Sequence, residues 1–265
     1  MLIESHRHRP DDIERWRAIE ACDEVMARSK RFRAKVRKSI DELMSFTGAG
    51  PCYAGVSWGK DSLVLAHMIA THVPRIPLIW VRVRPIENPD CVLVRDAFLR
   101  AHPSVEYWEI ERWCELSATE WHPSELRRAE GGTWIARGTL ESGFKEAAQR
   151  FGDRHVSGIR ANESGSRAMR CKVFGLSTKN TSAPIGWWTG ADVFSYLWLH
   201  RLPVHPAYAC TMGGLLDRDR IRVAALGGTR GDGMGRAEWE RAYYGREIQD
   251  ILASGHLDQR ERPHA

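Results

Sequence analysis

Tyr53-Ala54-Gly55-Val56-Ser57-Trp58-Gly59-Lys60-Asp61-Ser62 is the stretch from which the rest of the chain is read. An apolar run of strand character enters the polar turn Ser57–Ser62. That turn opens directly into an apolar helical run, Leu63 to Ala70. A helix begun on Gly-Lys-Asp-Ser brings unpaired backbone N–H groups, two hydroxyls and an ammonium to one point, where the helix dipole favours an anion. The spacing Gly-x4-Gly-Lys-Ser/Thr is absent, so this is not a Walker A loop.

Working outward, the same sequence of events recurs. His155-Val156-Ser157-Gly158-Ile159 reads as a strand and ends in the charged turn Arg160-Ala161-Asn162-Glu163-Ser164-Gly165-Ser166-Arg167. Between the two turns the spacing predicts strands at Ile76–Val83 and Val105–Ile110 and helices at Ser62–His72, Asp90–Ala101 and Leu140–Phe151. Alternation of this kind predicts an α/β fold, a mostly parallel sheet with helices on both faces. Ligands of such sheets bind beyond the carboxyl ends of the strands, where both polar turns lie.

Ser57–Ser62 resembles the PP-loop, Ser-Gly-Gly-Lys-Asp-Ser, of the ATP pyrophosphatases of the adenine nucleotide alpha hydrolase-like superfamily. The motif Gly158-x-Arg160-x-x-Glu163-Ser164-x-x-Arg167 resembles the loop of its PAPS reductase-like branch. Ala183-Pro184-Ile185-Gly186-Trp187-Trp188-Thr189-Gly190-Ala191-Asp192-Val193 and Leu202-Pro203-Val204-His205-Pro206-Ala207-Tyr208 continue the likeness. It runs from about Cys52 to Tyr208. The one departure in the loop is Trp58 for the first glycine of the pair, which puts an indole at the mouth of the expected phosphate site.

The resemblance implies cleavage of ATP at the α-phosphate. Ser57, Trp58, Gly59, Lys60, Asp61 and Ser62 are then expected to hold the β,γ-pyrophosphate, with Gly158 at the neighbouring strand end. Asp61 orients Mg²⁺ or only caps the helix. Arg160 and Arg167 offer forked donors to phosphate or an anionic second substrate, or form a surface ion pair with Glu163; Glu163 fixes an arginine or reaches the metal. Adenine is expected beside Trp80 and Val81, although Arg82-Val83-Arg84-Pro85 replaces the Asp-Thr-Gly-like turn usual there. Sulfonucleotide reductases of this branch attack with a cysteine in a C-terminal Glu-Cys-Gly-x-His. No cysteine follows Cys210 here, so the expected reaction is adenylation of an acceptor for sulfur insertion. The PP-loop components of DNA phosphorothioation systems look like this branch and work beside a cysteine desulfurase. Sulfonucleotide reduction, tRNA thiolation and ATP sensing without turnover are the alternatives. Cys171, flanked by Arg170 and Lys172, and Cys210 are candidate sulfur carriers or, equally in character, buried apolar residues.

The 265 residues carry a net charge of +5 and ordinary apolar content. No secretory signal or membrane-length apolar run is visible, so a cytoplasmic protein with no membrane partner is expected. Six cysteines, among them Cys22, Cys52, Cys91 and Cys114, lack zinc-finger or Cys-x-x-Cys spacing. An iron–sulfur cluster is disfavoured, with assembly from distant cysteines left open. Arg28, Arg31, Lys35 and Lys38 fall at helical spacing within a run of seven basic residues. Such a stripe tracks the phosphates of nucleic acid, DNA before tRNA, or docks an acidic partner, or is a solvated face.

The flanks read as a helical extension (1–46), a nucleotide-binding domain (47–208) and a C-terminal segment (209–265). The extension is expected to start on Asp11 or Asp12, to break near Ser29, and to turn Ile13, Trp16, Ile19, Cys22, Val25 and Met26 inward. Residues 112–139 read as a lid or local core. Ile221–Leu226 is expected as a strand, followed by a glycine-rich loop at 227–236 and a helix from Ala237 to Leu252.

Overall fold

The computed structural model describes residues 1–113, 135–226 and 235–255. β1 (Tyr53–Val56), β2 (Leu78–Arg84), β3 (Tyr107–Trp113), β4 (His155–Ser157) and β5 (Thr181–Ser182) form one sheet in the order β3-β2-β1-β4-β5. Every neighbouring pair is parallel. The winding reverses between β1 and β4, so the crevice of a doubly wound sheet opens at their carboxyl ends. Both polar turns begin there.

Alternate residues of the central strands serve opposite faces. Ala54, Val56, Leu78 and Trp80 enter the larger apolar cluster with α3 (Lys60–His72) and α4 (Cys91–Ala101). Tyr53, Ile79 and Val81 face α5 (Ile135–Phe151) through Phe144 and Ala147. Edge strand β3 is blunted by Glu109, Glu111 and Arg112, which discourages further strand pairing.

Ser29 ends one helix and starts another. α1 (Pro10–Ala27) stops before it, and its hydroxyl accepts the Phe32 N–H at the start of α2 (Lys30–Gly48). The start of α1 differs from expectation. Arg9 is the N-cap, Pro10 takes the first helical position, and Asp12 accepts the Arg9 N–H from the third. Its inward face is also rotated. Asp12, Trp16, Asp23 and Ala27 are buried, whereas Cys22 and Met26 are exposed and Val25 is 71% exposed. The buried carboxylates fix this phase. Asp12 receives the Tyr243 hydroxyl, and Asp23 receives Arg218 at 2.5 Å.

The basic stripe on α2 does not form one solvent face. Lys35 bonds Asp192 at 2.6 Å, within the first turn of α7 (Gly190–Leu199), while Arg28, Arg31 and Lys38 are exposed. Burial alone would raise the Asp192 pKa; Lys35 and the Thr189 cap outweigh it and hold it below its ordinary value.

Ile221–Leu226 is not a strand. Ile221, Val223 and Leu226 are buried at alternate or near-alternate positions, and among the described residues the segment forms an isolated bridge, Glu87 to Ala225, and no ladder. Two helices were not legible in advance, α6 (Gly165–Phe174) and α7. α8 (Arg236–Gly255) closes the described chain. Residues 114–134 of the expected insertion and 227–234 of the glycine-rich loop lie outside the described residues. No described helix is long and apolar enough to cross a membrane. A single apolar cluster runs from Trp16 and Phe32 through β1 and α3 to Tyr244 and Leu252, so the flanking segments share the core of the sheet.

Histidines gather where α3, α4 and α7 end. The His67 and His102 rings are 5.5 Å apart and the His67 and His200 rings 4.6 Å, and His67 Nδ1 meets the Tyr196 hydroxyl at 2.9 Å. Burial first, then the positive potential of His200, His102 and His72, pushes the His67 pKa down to about 3. The unfolded chain takes up that proton near pH ~6.5, so this contribution to stability is complete above that pH and is lost as pH falls toward 3. Urea unfolding at pH 5 rather than 7.5 is expected to cost about 2 kcal/mol through His67 alone. His67→Gln should remove that part of the pH dependence; an unchanged slope would contradict the assignment.

Candidate functional site

The phosphate-loop candidate is a closed turn before it is a binding site. The Ser57 N–H donates to Ser62 Oγ at 3.1 Å, and Ser62 Oγ donates to the Gly59 carbonyl at 3.0 Å. Ser62 therefore closes the loop, and Ser57 Oγ lies 3.3 Å from it. Gly59 is the N-cap of α3. The Lys60 N–H, otherwise unpaired in the first turn, donates to the Tyr208 hydroxyl at 3.0 Å. Tyr208 is delivered by the 3-10 turn Pro206–Ala209, which His205 caps through Nδ1.

Two cations meet in this crevice. Lys60 is 4% exposed and Arg160 1%. Lys60 Nζ bonds Asp61 Oδ2 at 2.9 Å and lies 3.4 Å from Asp219 Oδ1. The Arg160 guanidinium lies 2.6 Å from Asp61 Oδ1 and bonds the same Asp219 Oδ1 at 2.6 Å. Burial alone would lower the Lys60 pKa; Tyr208, Asp61 and Asp219 outweigh it and hold the ammonium charged. Burial of Arg160 is likewise outweighed by Asp61 and Asp219. Two buried cations balanced by two carboxylates make a neutral cluster at the N-terminus of α3.

Gly158 makes this convergence possible. A Cβ there would stand 3.0 Å from the backbone of Asp61 and Ser62, so the end of β4 approaches the loop as only glycine can. Beyond Gly158, Glu163 accepts the Arg160 N–H at 2.9 Å and pairs with Arg167. Arg160 thus points into the crevice while Arg167 stays with Glu163, half-exposed at the rim. The two expected arginines are not equivalent.

Trp58 is not at the mouth of the site. It is fully buried, with its ring centroid 5.5 Å from Phe98, 5.6 Å from Tyr107 and 6.4 Å from Trp80. Its φ of +59° is left-handed, the conformation for which glycine is ordinarily used. Trp80 is buried in the same aromatic group, and Val81 packs on the α5 side. Neither side chain is available to stack on a base. Among the described residues the backbone remains available, because β1 pairs with β2 only as far as Trp80. Past Trp80, β2 has its ladder partner on the β3 side, up to Arg84 opposite Trp113.

Both cysteines singled out in the sequence are core residues. Cys171 lies buried on the inner side of α6 near Gly186. Cys210 is buried, and burial pushes its thiol up to about 12. A thiol so disfavoured as thiolate is a poor nucleophile. Asp61 does not fit the Mg²⁺ role, since its two oxygens face Lys60 and Arg160. Among the described residues no group of three metal-ligating side chains converges.

Asp219 was not found from the sequence. It lies in the 3-10 turn Arg218–Arg220 and reaches Arg160 across 59 residues. Nothing local marks it, and its turn has no place in the motifs that carry the resemblance. A surface cleft lined by Phe46, Arg154 and Lys179 lies near the amino end of β4, the wrong end of the sheet for these groups.

Residues 51–213 match the phosphoadenosine phosphosulfate reductase domain family. The phosphoadenosine 5'-phosphosulfate reductase of Xanthomonas euvesicatoria pv. vesicatoria (strain 85-10) is 26% identical over 184 residues, 60% of this chain and 67% of the relative. Among solved structures, a phosphoadenylyl-sulfate reductase from Candida auris in phosphate complex aligns with TM-score 0.50 and 14% identity, covering 72% of this chain and 90% of that one. A U34-tRNA thiolase from Methanococcus maripaludis aligns with TM-score 0.41 and 14% identity, over 88% of this chain and 84% of that one.

Proposed function

We propose a function from one premise: this chain belongs to the phosphoadenosine phosphosulfate reductase domain family. It is an ATP pyrophosphatase that adenylates an acceptor. The observation that carries this reading is the pairing of buried Lys60 and Arg160 at the switch point of the sheet, over the N-terminus of α3. Attack of an acceptor oxygen on the α-phosphorus forms the acceptor adenylate and breaks the bond to the β-phosphate bridge oxygen. Negative charge grows on the departing pyrophosphate, and Lys60, Arg160 and the α3 dipole are placed to stabilise it. The backbone edge of β2 past Trp80, unpaired on its β1 side among the described residues, supports adenine binding there through main-chain N–H and C=O groups.

The acceptor is a nucleic acid, DNA before tRNA, and adenylation prepares a phosphate or base oxygen for replacement by sulfur. Exposed Arg31 and Lys38 on α2 support a polyanionic partner. A cysteine desulfurase is the class of sulfur donor such a reaction needs.

Sulfonucleotide reduction is the second reading, favoured by the name of the curated relative. It needs a thiolate at the sulfur; among the described residues Cys52, Cys91, Cys171 and Cys210 are buried and Cys22 is exposed on α1, while Cys114 lies outside the described residues. Product analysis separates the two. ATP incubated with DNA or tRNA is expected to give AMP and pyrophosphate. ADP and phosphate would contradict adenylation, release of sulfite from PAPS with an added dithiol would favour reduction, and no turnover of either would leave a nucleotide-binding role.

A further inference from the structure

Asp219 is an anion in an anion site. Its carboxylate bonds Arg160 at 2.6 Å, lies 3.4 Å from Lys60 Nζ and fills the space where a Cβ on Gly190 would stand. Gly190 is the first residue of α7, so the same oxygens stand at a second helix N-terminus. Two buried cations and a helix start are what a phosphate group requires, and here a side chain of the protein supplies the negative charge.

The backbone that carries Asp219 is anchored on both sides. Arg218 is buried on Asp23 and over the Phe194 ring, and Ile221 is in the core. The Asp219 N–H donates to the Asp217 carboxylate, which fixes the turn. The carboxylate itself remains partly open to solvent, at 24% side-chain exposure. Only the carboxylate meets the cations, so leaving them asks for a change of the Asp219 rotamer and not for a movement of its anchored backbone. Asp219 also lies beyond residues 51–213, so it is a feature of this chain outside the matched domain.

We propose that Asp219 is an internal competitor for the phosphate site: it occupies the place of a ligand phosphate when the site is empty and swings away when the ligand's phosphate or pyrophosphate group enters. This rests on the reading of Lys60 and Arg160 as the pyrophosphate site. The apparent affinity for the ligand is then reduced by the fraction of molecules in which the carboxylate is out. After cleavage, return of the carboxylate displaces pyrophosphate by competing for the same cations. The device favours product release over tight product retention.

The test measures binding of inorganic pyrophosphate by calorimetry to the wild type, Asp219→Asn and Lys60→Ala, with thermal unfolding of each in parallel. Asp219→Asn keeps the shape and removes the charge. It is expected to bind pyrophosphate about tenfold or more tightly, as removal of a competitor present in most molecules requires. Without ligand it should unfold at lower temperature than wild type, because two buried cations lose a counter-charge, and pyrophosphate should raise its midpoint more than that of the wild type. Asp219→Ala serves as the second variant and should show the same gain in affinity. Equal or weaker pyrophosphate binding in both Asp219 variants, with Lys60→Ala weaker than wild type, would overturn the competitor and leave the pyrophosphate site standing. Wild type and Lys60→Ala binding alike, or neither binding, would overturn the site itself and the competitor with it.

Discussion

Lys60→Met is expected to lower pyrophosphate release from ATP by about 100- to 1000-fold, the effect of removing one preorganised donor to a developing charge. Methionine is the informative replacement. It keeps most of the apolar stem that packs at this nearly sealed position and removes only the ammonium. The backbone N–H of residue 60 still donates to Tyr208, so the loop keeps its anchor. Arg160 still reaches both Asp61 and Asp219, and the one carboxylate charge left over is shared by two side chains that are partly open to solvent, so the fold is expected to survive. The loss should fall on kcat more than on KM, because the charge on the leaving pyrophosphate is larger in the transition state than in bound ATP. Steady-state kinetics with a melting curve of the variant make the check. A folded variant that releases pyrophosphate at the wild-type rate would remove Lys60 from the chemistry.

Arg218→Ala is expected to destabilise the protein by about 3–5 kcal/mol, as breaking a buried ion pair on one side does. Arg218 is buried, bonds Asp23 at 2.5 Å and lies over Trp16 and Phe194, with its guanidinium carbon 5.1 and 3.9 Å from their ring centroids. The variant leaves a carboxylate without its partner in the interface between α1 and the C-terminal segment. Burial already raises the Asp23 pKa in spite of Arg218. Without the arginine it rises further, so Asp23 must take up a proton in the folded state. The folded variant then binds a proton that the unfolded chain releases above its own carboxylate pKa. Its deficit is therefore greater at pH 7 than at pH 5. Urea unfolding at the two pH values checks both size and sign. The double variant Arg218→Met with Asp23→Leu should recover most of the loss, since an apolar pair of similar bulk carries no desolvation penalty. A single variant as stable as wild type would leave the pair as ornament on the interface.

What could be read from the sequence was what is local. The β1–loop–α3 unit declares itself within twenty residues, because an apolar run, a glycine and a helix start are adjacent in the chain. The break at Ser29 was equally legible, since a serine hydroxyl acts on an N–H three residues away. The phase of α1 was not. Apolar spacing put Val25 and Met26 inward, but the buried carboxylate Asp23 answers to Arg218, 195 residues distant, and turns the helix. Ile221–Leu226 shows a related failure. An extended segment pinned to the core at alternate residues has the burial period of a strand without a ladder, and the period was all the sequence carried. That Lys60, Asp61 and Arg160 lie at one end of the sheet was legible because each follows closely on a strand, Lys60 and Asp61 on β1 and Arg160 on β4. Asp219 was missed because only the folded chain brings it there. For the thiols the sequence left two roles open and the fold shows the buried one: flanking charges at Arg170 and Lys172 say nothing of a side chain that faces the core.

Trp58 joins two demands in one residue. Its left-handed backbone costs about 1–3 kcal/mol at a non-glycine position, and it is held there by the aromatic packing of the indole. Glycine at 58 would release that strain and leave a void of indole size among Trp80, Phe98 and Tyr107, a loss of about 3–5 kcal/mol on the scale of buried aromatic truncations. Neither change is neutral alone. Room made or bulk added at a neighbour such as Phe98 should offset part of either loss, so substitutions at 58 and in the aromatic group are expected to be non-additive, which ties the sequence tolerated in the phosphate loop to the packing of the core beneath it.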